Sequence, residues 1–200
     1  MLVIGLTGPT GAGKGEVANI FKRYGIPVIN ADLVYHELIT PPSSCLQELT
    51  EEFGKEILLP DGSLNRRALG GIVFSDPAAR ERLNTITHRY VMEEVKTQLE
   101  RYRREGVPVS VFDAPQLFEA GAQRACGAVV SVLADRGLRL ERIMARDNIT
   151  AEAAMRRILA QKSDEFFKTH SDYIIENNGT VETLAPQVHR VLTALGVIPS

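Results

Sequence analysis

A short run near the amino terminus carries the clearest chemistry in this chain: Gly8-Pro9-Thr10-Gly11-Ala12-Gly13-Lys14-Gly15. Glycines at 8, 11 and 13 let the backbone take conformations closed to residues with a Cβ, so that the N–H groups of the run, Thr10 and Ala12 included, can converge on phosphate oxygens. Lys14 adds a mobile positive charge for the outer phosphates. Gly-x4-Gly-Lys alone arises by chance in roughly one 200-residue chain in twenty. Its flanks supply the specificity. Leu2-Val3-Ile4-Gly5-Leu6-Thr7 precedes it as a strand, and a helical pattern follows at once, which is the strand, phosphate loop and helix of a P-loop.

The residues after the lysine depart from the general pattern, which places a Ser or Thr hydroxyl on a magnesium ion. Here they are Gly15 and Glu16. Either the site is degenerate, or water replaces the hydroxyl on Mg²⁺, as in adenylate-kinase-like loops that also read Gly-Lys-Gly. Glu16 facing the phosphates would repel them. It is expected to point to solvent in the first helical turn, where a carboxylate suits the helix dipole.

The elements that must position such a loop follow from the apolar pattern. Beta-type runs fall at 2–7, 26–29, 107–112, 128–133 and 173–175. Helical stretches lie near 14–24, 32–40, 43–53, 66–74, 77–104, 136–146, 151–160 and 181–195. Short apolar strands separated by helices predict an α/β fold with a parallel sheet covered on both faces. Ligands of such sheets sit beyond the carboxyl ends of the strands, and the residues there are chemical. Asn30-Ala31-Asp32 follows the second strand. Asp32 suits a helix N-cap and, beside a phosphate loop, also a catalytic role. Asp113 ends the third strand, where a carboxylate is expensive to bury; it is a candidate for magnesium or for ordering the loop.

Between these strands the chain spends about seventy residues on helices, more than a crossover needs, and a second-substrate compartment is the natural use. Asn65-Arg66-Arg67 and Thr87-His88-Arg89 within it offer basic groups for an anionic acceptor. After the fourth strand, Arg139, Arg142 and Arg146 recur at helical spacing, with Arg156 and Arg157 beyond. A basic helix pair closing over a nucleotide can stabilise the moving phosphoryl group, and one arginine so placed is worth about 10³–10⁵ in rate. Arg142 and Arg146 are the candidates. The turn Glu176-Asn177-Asn178-Gly179 suits contact with a nucleotide base.

Composition sets the bounds. Two hundred residues, 44% of them hydrophobic, suffice for one packed domain with a small inserted lobe or lid. The net charge of −2 argues against a nucleic-acid surface. Cys45 and Cys126 stand far apart, without the spacing of a disulfide framework or a zinc site. No apolar stretch approaches membrane-spanning length and the start lacks the form of a signal peptide, so a cytoplasmic protein with no membrane or nucleic-acid partner is expected; the sequence leaves the oligomeric state open, with a monomer as the expectation.

Taken in order, these motifs resemble the dephospho-coenzyme A kinase family. The resemblance runs through Gly5-Leu6-Thr7-Gly8, Ala31-Asp32, Arg66 to Phe74, then Leu83 and His88. It continues through Pro115-Gln116-Leu117-Phe118-Glu119, Arg146-Asp147, Arg157 with Gln161, and Asp172-Tyr173-Ile174-Ile175 with Asn177-Asn178-Gly179. It implies ATP-dependent phosphorylation of the ribose 3′-hydroxyl of dephospho-CoA. The implied fold is a three-layer P-loop nucleoside-triphosphate hydrolase-like core (1–32 and 107–200) with a helical coenzyme-binding insertion (about 33–106) and a lid (about 136–170). On this chain the resemblance implies a triphosphate loop over 8–16, Asp32 as proton acceptor, Arg142 and Arg146 in the lid, and Asn177 near adenine. Arg66, His88, Pro115 and Leu117 fall to the acceptor. The family's usual Lys-Ser-Thr is Lys14-Gly15-Glu16 here, its His-Pro is His88-Arg89, and its Pro-Leu-Leu-Phe-Glu carries Gln116. A kinase for another small acceptor, such as a nucleoside monophosphate, shares the loop and lid, and Gly15-Glu16 also admits a paralogue that binds ATP or CoA without turnover.

Overall fold

A computed structural model describes residues 1–199. Five strands form one sheet: β1 (Leu2–Thr7), β2 (Val28–Asn30), β3 (Val109–Asp113), β4 (Ala128–Leu133) and β5 (Tyr173–Glu176), in the order β2-β3-β1-β4-β5. β1 lies parallel to both β3 and β4, and β4 lies parallel to β5. All residues of β3 and β4 are buried, which is why these strands read as continuous apolar runs rather than alternating ones. On β1, Ile4 and Leu6 share a core with Val17, Ile20 and Phe21 of α1 (Lys14–Arg23) and with Leu184, Val188 and Leu192 of α9 (Leu184–Ala194). From the opposite side of β1, a Cβ on Gly5 would lie 2.9 Å from a Leu117 methyl and 2.8 Å from Cys126 Sγ. Because β1 has neighbours on both sides and the chain crosses to each in turn, its carboxyl end is the topological switch point of the sheet.

The chain divides into two compact units, Met1–Ile29 with Tyr102–Ser200, and Asn30–Arg101. The second is helical: α2 (Ala31–Leu38), α3 (Ser44–Phe53), α4 (Arg66–Ser75) and most of α5 (Pro77–Arg104). It has its own core of Ile39, Cys45, Leu46, Leu49, Phe53, Ile57, Leu69 and Val73. Its helix starts are side-chain capped. Asn30, Ser43 and Asn65 accept from the N–H groups of Leu33, Leu46 and Ala68, each satisfying a donor left open by the first turn. Asn30, not Asp32, is therefore the cap of α2, which corrects the capping role weighed for Asp32. The Asp32 side of that first turn is exposed.

In the first unit, α6 (Arg136–Asp147) and α7 (Ala151–Leu159) pack on each other through Ile143, Ala154 and Ile158. A further helix, α8 (Asp164–His170), lies between α7 and β5, a stretch for which the sequence pattern predicts none. Ser163 caps it by accepting from the Phe166 N–H. Among the described residues no helix is long and apolar enough to cross a membrane.

Candidate active site

The glycine-rich run leaves β1 and turns directly into α1. Gly8, Gly11 and Gly13 all have positive φ, at 145°, 79° and 87°. At Gly13, the N-cap of α1, a Cβ would sit 2.0 Å from Asn177 Nδ2, so the close approach as well as the dihedral demands glycine. Gly15 differs: it is exposed and a Cβ there would meet nothing within 4 Å. Nothing in the packing requires glycine at that position. Glu16 is exposed in the first turn of α1.

Lys14, the first residue of α1, reaches the Asp113 carboxylate at the end of β3. Strand register explains the meeting, since Leu6, two residues before the loop, stands opposite Asp113. The Asp113 side chain is only 2% exposed and that of Lys14 only 15%. A carboxylate so buried is tolerable because an ammonium group shares its site. Next along the chain, Pro115 offers its carbonyl to Thr7 Oγ1 at 3.3 Å. Leu117, expected to touch the acceptor, is instead fully buried. It fills the space left by the absent side chain of Gly5 and has no surface to offer a ligand.

The far side of the loop is held by side chains from the β4 and β5 ends. Asn177 is 4% exposed, and its Nδ2 donates to Ala12 O at 2.8 Å. The amide that the sequence places at a nucleotide base is thus spent beneath the loop. Arg142 donates to Gly11 O at 3.3 Å and to Asn177 O at 3.1 Å. Arg146 is exposed. It binds Asp147 at 2.8 and 3.0 Å and reaches Thr10 Oγ1 at 3.5 Å. The Arg146 bond, with Arg157 beside it, holds the Asp147 carboxyl below the usual range.

Two residues with no expected role join this group. Arg139 is buried and donates from Nε to Thr10 O at 3.0 Å. Gln161 accepts from the Thr10 N–H at 2.8 Å. Arg139 belongs to the 139/142/146 series, so its helical spacing was visible; that it faces inward is not readable from spacing. In the helical unit, Arg66 is exposed and its Nη2 lies 3.0 Å from His36 Nδ1, while His88 is half-buried. Arg89, where the resembled family has Pro, pairs with Glu48, which also accepts from Tyr90.

A glycine loop at the switch point of a parallel sheet, with a lysine at the helix start and a buried acid on the adjacent strand, defines a P-loop nucleotide-binding protein. The sequence model of dephospho-CoA kinase matches residues 2–183. A relative named dephospho-CoA kinase from Geobacter sulfurreducens is 40% identical over 191 residues, 96% of this chain and 97% of its own. Among solved structures, a Thermus thermophilus protein superposes with a TM-score of 0.80 at 29% identity, covering 100% of this chain and 98% of that one. The dephospho-CoA kinase from Campylobacter jejuni gives 0.71 at 26% identity, with 98% of each chain covered. The chain belongs to the dephospho-CoA kinase family.

Proposed function

We propose that this protein transfers the γ-phosphoryl group of ATP to the ribose 3′-hydroxyl of dephospho-CoA, releasing CoA and ADP. The observation that carries the reading is the family match over residues 2–183 in a chain that keeps the loop, its lysine and the Asp113 partner together. In the transfer, a bond forms between the 3′-oxygen and the γ-phosphorus as the bond from that phosphorus to the β–γ bridging oxygen breaks. ADP leaves with the electron pair. The hydroxyl proton passes to Asp32, an exposed carboxylate two residues past β2 whose helix is already capped by Asn30.

Lys14 and the loop amides of Gly11, Gly13 and Gly15 form the triphosphate cradle; the N–H groups of Thr10, Ala12 and Glu16, expected there from the sequence, are instead spent on Gln161, Pro9 O and Gly13 O. Arg142 and Arg146, in a lid over about 136–170, neutralise charge on the transferring group. Arg66 and His88 of the helical unit bind the anionic acceptor. Mg²⁺ suits the residues present. Asp113, ion-paired with Lys14, would supply a hard carboxylate oxygen on the lysine's turning to the phosphates, and the open space at Gly15 leaves room for water where other loops place a hydroxyl. When bound, the ion offsets phosphate charge.

ADP release measured with dephospho-CoA and, separately, with a panel of nucleoside monophosphates over a Mg²⁺ titration tests the reading. ADP is expected with dephospho-CoA alone. Release only with a monophosphate identifies a different acceptor, and ATP binding with no release under any condition identifies a protein without turnover; either overturns the proposal.

A further inference from the structure

Three successive carbonyl groups at the apex of the phosphate loop are held by side chains. Thr10 O accepts from Arg139 at 3.0 Å, Gly11 O from Arg142 at 3.3 Å and Ala12 O from Asn177 at 2.8 Å. In a planar trans peptide the C=O and the following N–H point to opposite edges. Fixing the Thr10 and Ala12 carbonyls therefore turns the Gly11 and Gly13 N–H groups the other way, as a phosphate cradle needs. A donor on a carbonyl also polarises its peptide and strengthens the N–H on the far side.

Arg139 stands out within this set. Its side chain is 4% exposed, yet Asp164, its ion-pair partner at 2.9 Å, is 45% exposed. One half-exposed carboxylate is poor compensation for a buried guanidinium, and burial indeed pulls Arg139 below its usual range while Asp164 opposes the shift. A second donor, Nε, is spent on the loop. Asp164 opens α8, and Gln161, three residues earlier, takes the Thr10 N–H. Both polar groups of the Thr10 main chain are thus tied to the α7–α8 turn, the amide directly and the carbonyl through Arg139 and Asp164. Backbone packing agrees, since a Cβ on Gly11 would lie 2.7 Å from Arg139 O.

We propose that Arg139 is a positioning residue for the phosphate loop: bridging the Thr10 carbonyl and Asp164, it holds the loop apex in its triphosphate-receiving conformation and couples that conformation to α8. The proposal rests on the reading that this loop binds ATP. A lysine cannot replace it, because a single ammonium lacks the fixed fork that spans both partners.

Equilibrium binding of ATP and, separately, of dephospho-CoA is measured for the wild type, Arg139→Lys and Asp164→Ala, alongside melting temperature. Arg139→Lys is expected to weaken ATP binding about tenfold and Asp164→Ala about threefold, the loss of one to two charge-assisted bonds, with dephospho-CoA affinity unchanged. ATP affinity within about twofold of the wild type in Asp164→Ala overturns the proposal, even where Arg139→Lys does not fold. So does a parallel loss of both affinities that tracks a lower melting temperature, which marks a merely structural residue. A wild type that binds ATP but not dephospho-CoA refutes the assigned acceptor and leaves the ATP arm readable.

Discussion

Asp32 and Gly15 are the residues at which single substitutions say most about the chemistry. With the N-cap of α2 supplied by Asn30, Asp32→Asn is not expected to unseat the helix. It should leave ATP affinity nearly unchanged and lower kcat about 10²-fold or more, the usual worth of a general base. Steady-state rates with saturating ATP check this, and near-full activity would remove Asp32 from the proton-accepting role. At Gly15 the space around a Cβ is open, so Gly15→Ser with Glu16→Thr should fold normally and lower the Mg²⁺ concentration for half-maximal rate. An unchanged Mg²⁺ profile would show that the missing hydroxyl does not matter to the metal. The loop, Lys14 and the outward-facing Glu16 were legible in sequence because their logic is local, one glycine-rich turn between a strand and a helix. The pairing of Lys14 with Asp113 was not, because it depends on which strand lies beside β1.

At the scale of elements, the strands and all helices but one follow from apolar periodicity and punctuation. The exception, α8, is instructive. Its signals are present in sequence: Ser163 as cap, Asp164 and Glu165 in the first turn, Lys168 and His170 in the last. It spans only 7 residues, too short to carry a period of its own, and a helix so short owes its stability to capping and tertiary packing. Ser163→Ala is therefore expected to cost about 1 kcal/mol, read as a lower denaturant midpoint with unchanged m-value. A midpoint equal to the wild type would mean that packing alone holds α8. Leu117 is the opposite case. Its motif was readable, but its burial against Gly5 is set by the approach of a distant segment to β1.

Across the whole molecule the two thiols are withdrawn to different degrees, Cys45 buried and Cys126 half-buried. Burial raises both Cys45, in the helical core, and Cys126, against Gly5, from an ordinary 9.0 to about 11. A group whose folded pKa is raised adds stability that is full below its unfolded value and is lost as pH rises through the folded one. Stability should accordingly fall between about pH 9 and 11, and less steeply in a Cys45→Ala, Cys126→Ala double variant. Equal slopes would deny the thiols a part. Iodoacetamide near pH 8 should label both cysteines slowly in the native protein and rapidly in urea, since only the thiolate reacts. Sequence alone determined the ligand class, the alternation of strands and helices, and the family, because glycine spacing, apolar period and ordered motifs are properties of neighbours along the chain. Only the tertiary structure decided the order β2-β3-β1-β4-β5, the inward turn of Arg139, and the use of Asn177 beneath the loop rather than at its surface. Each of these depends on contacts between residues far apart in the chain, and long-range packing, not local propensity, chooses which polar groups are buried and what they then must bind.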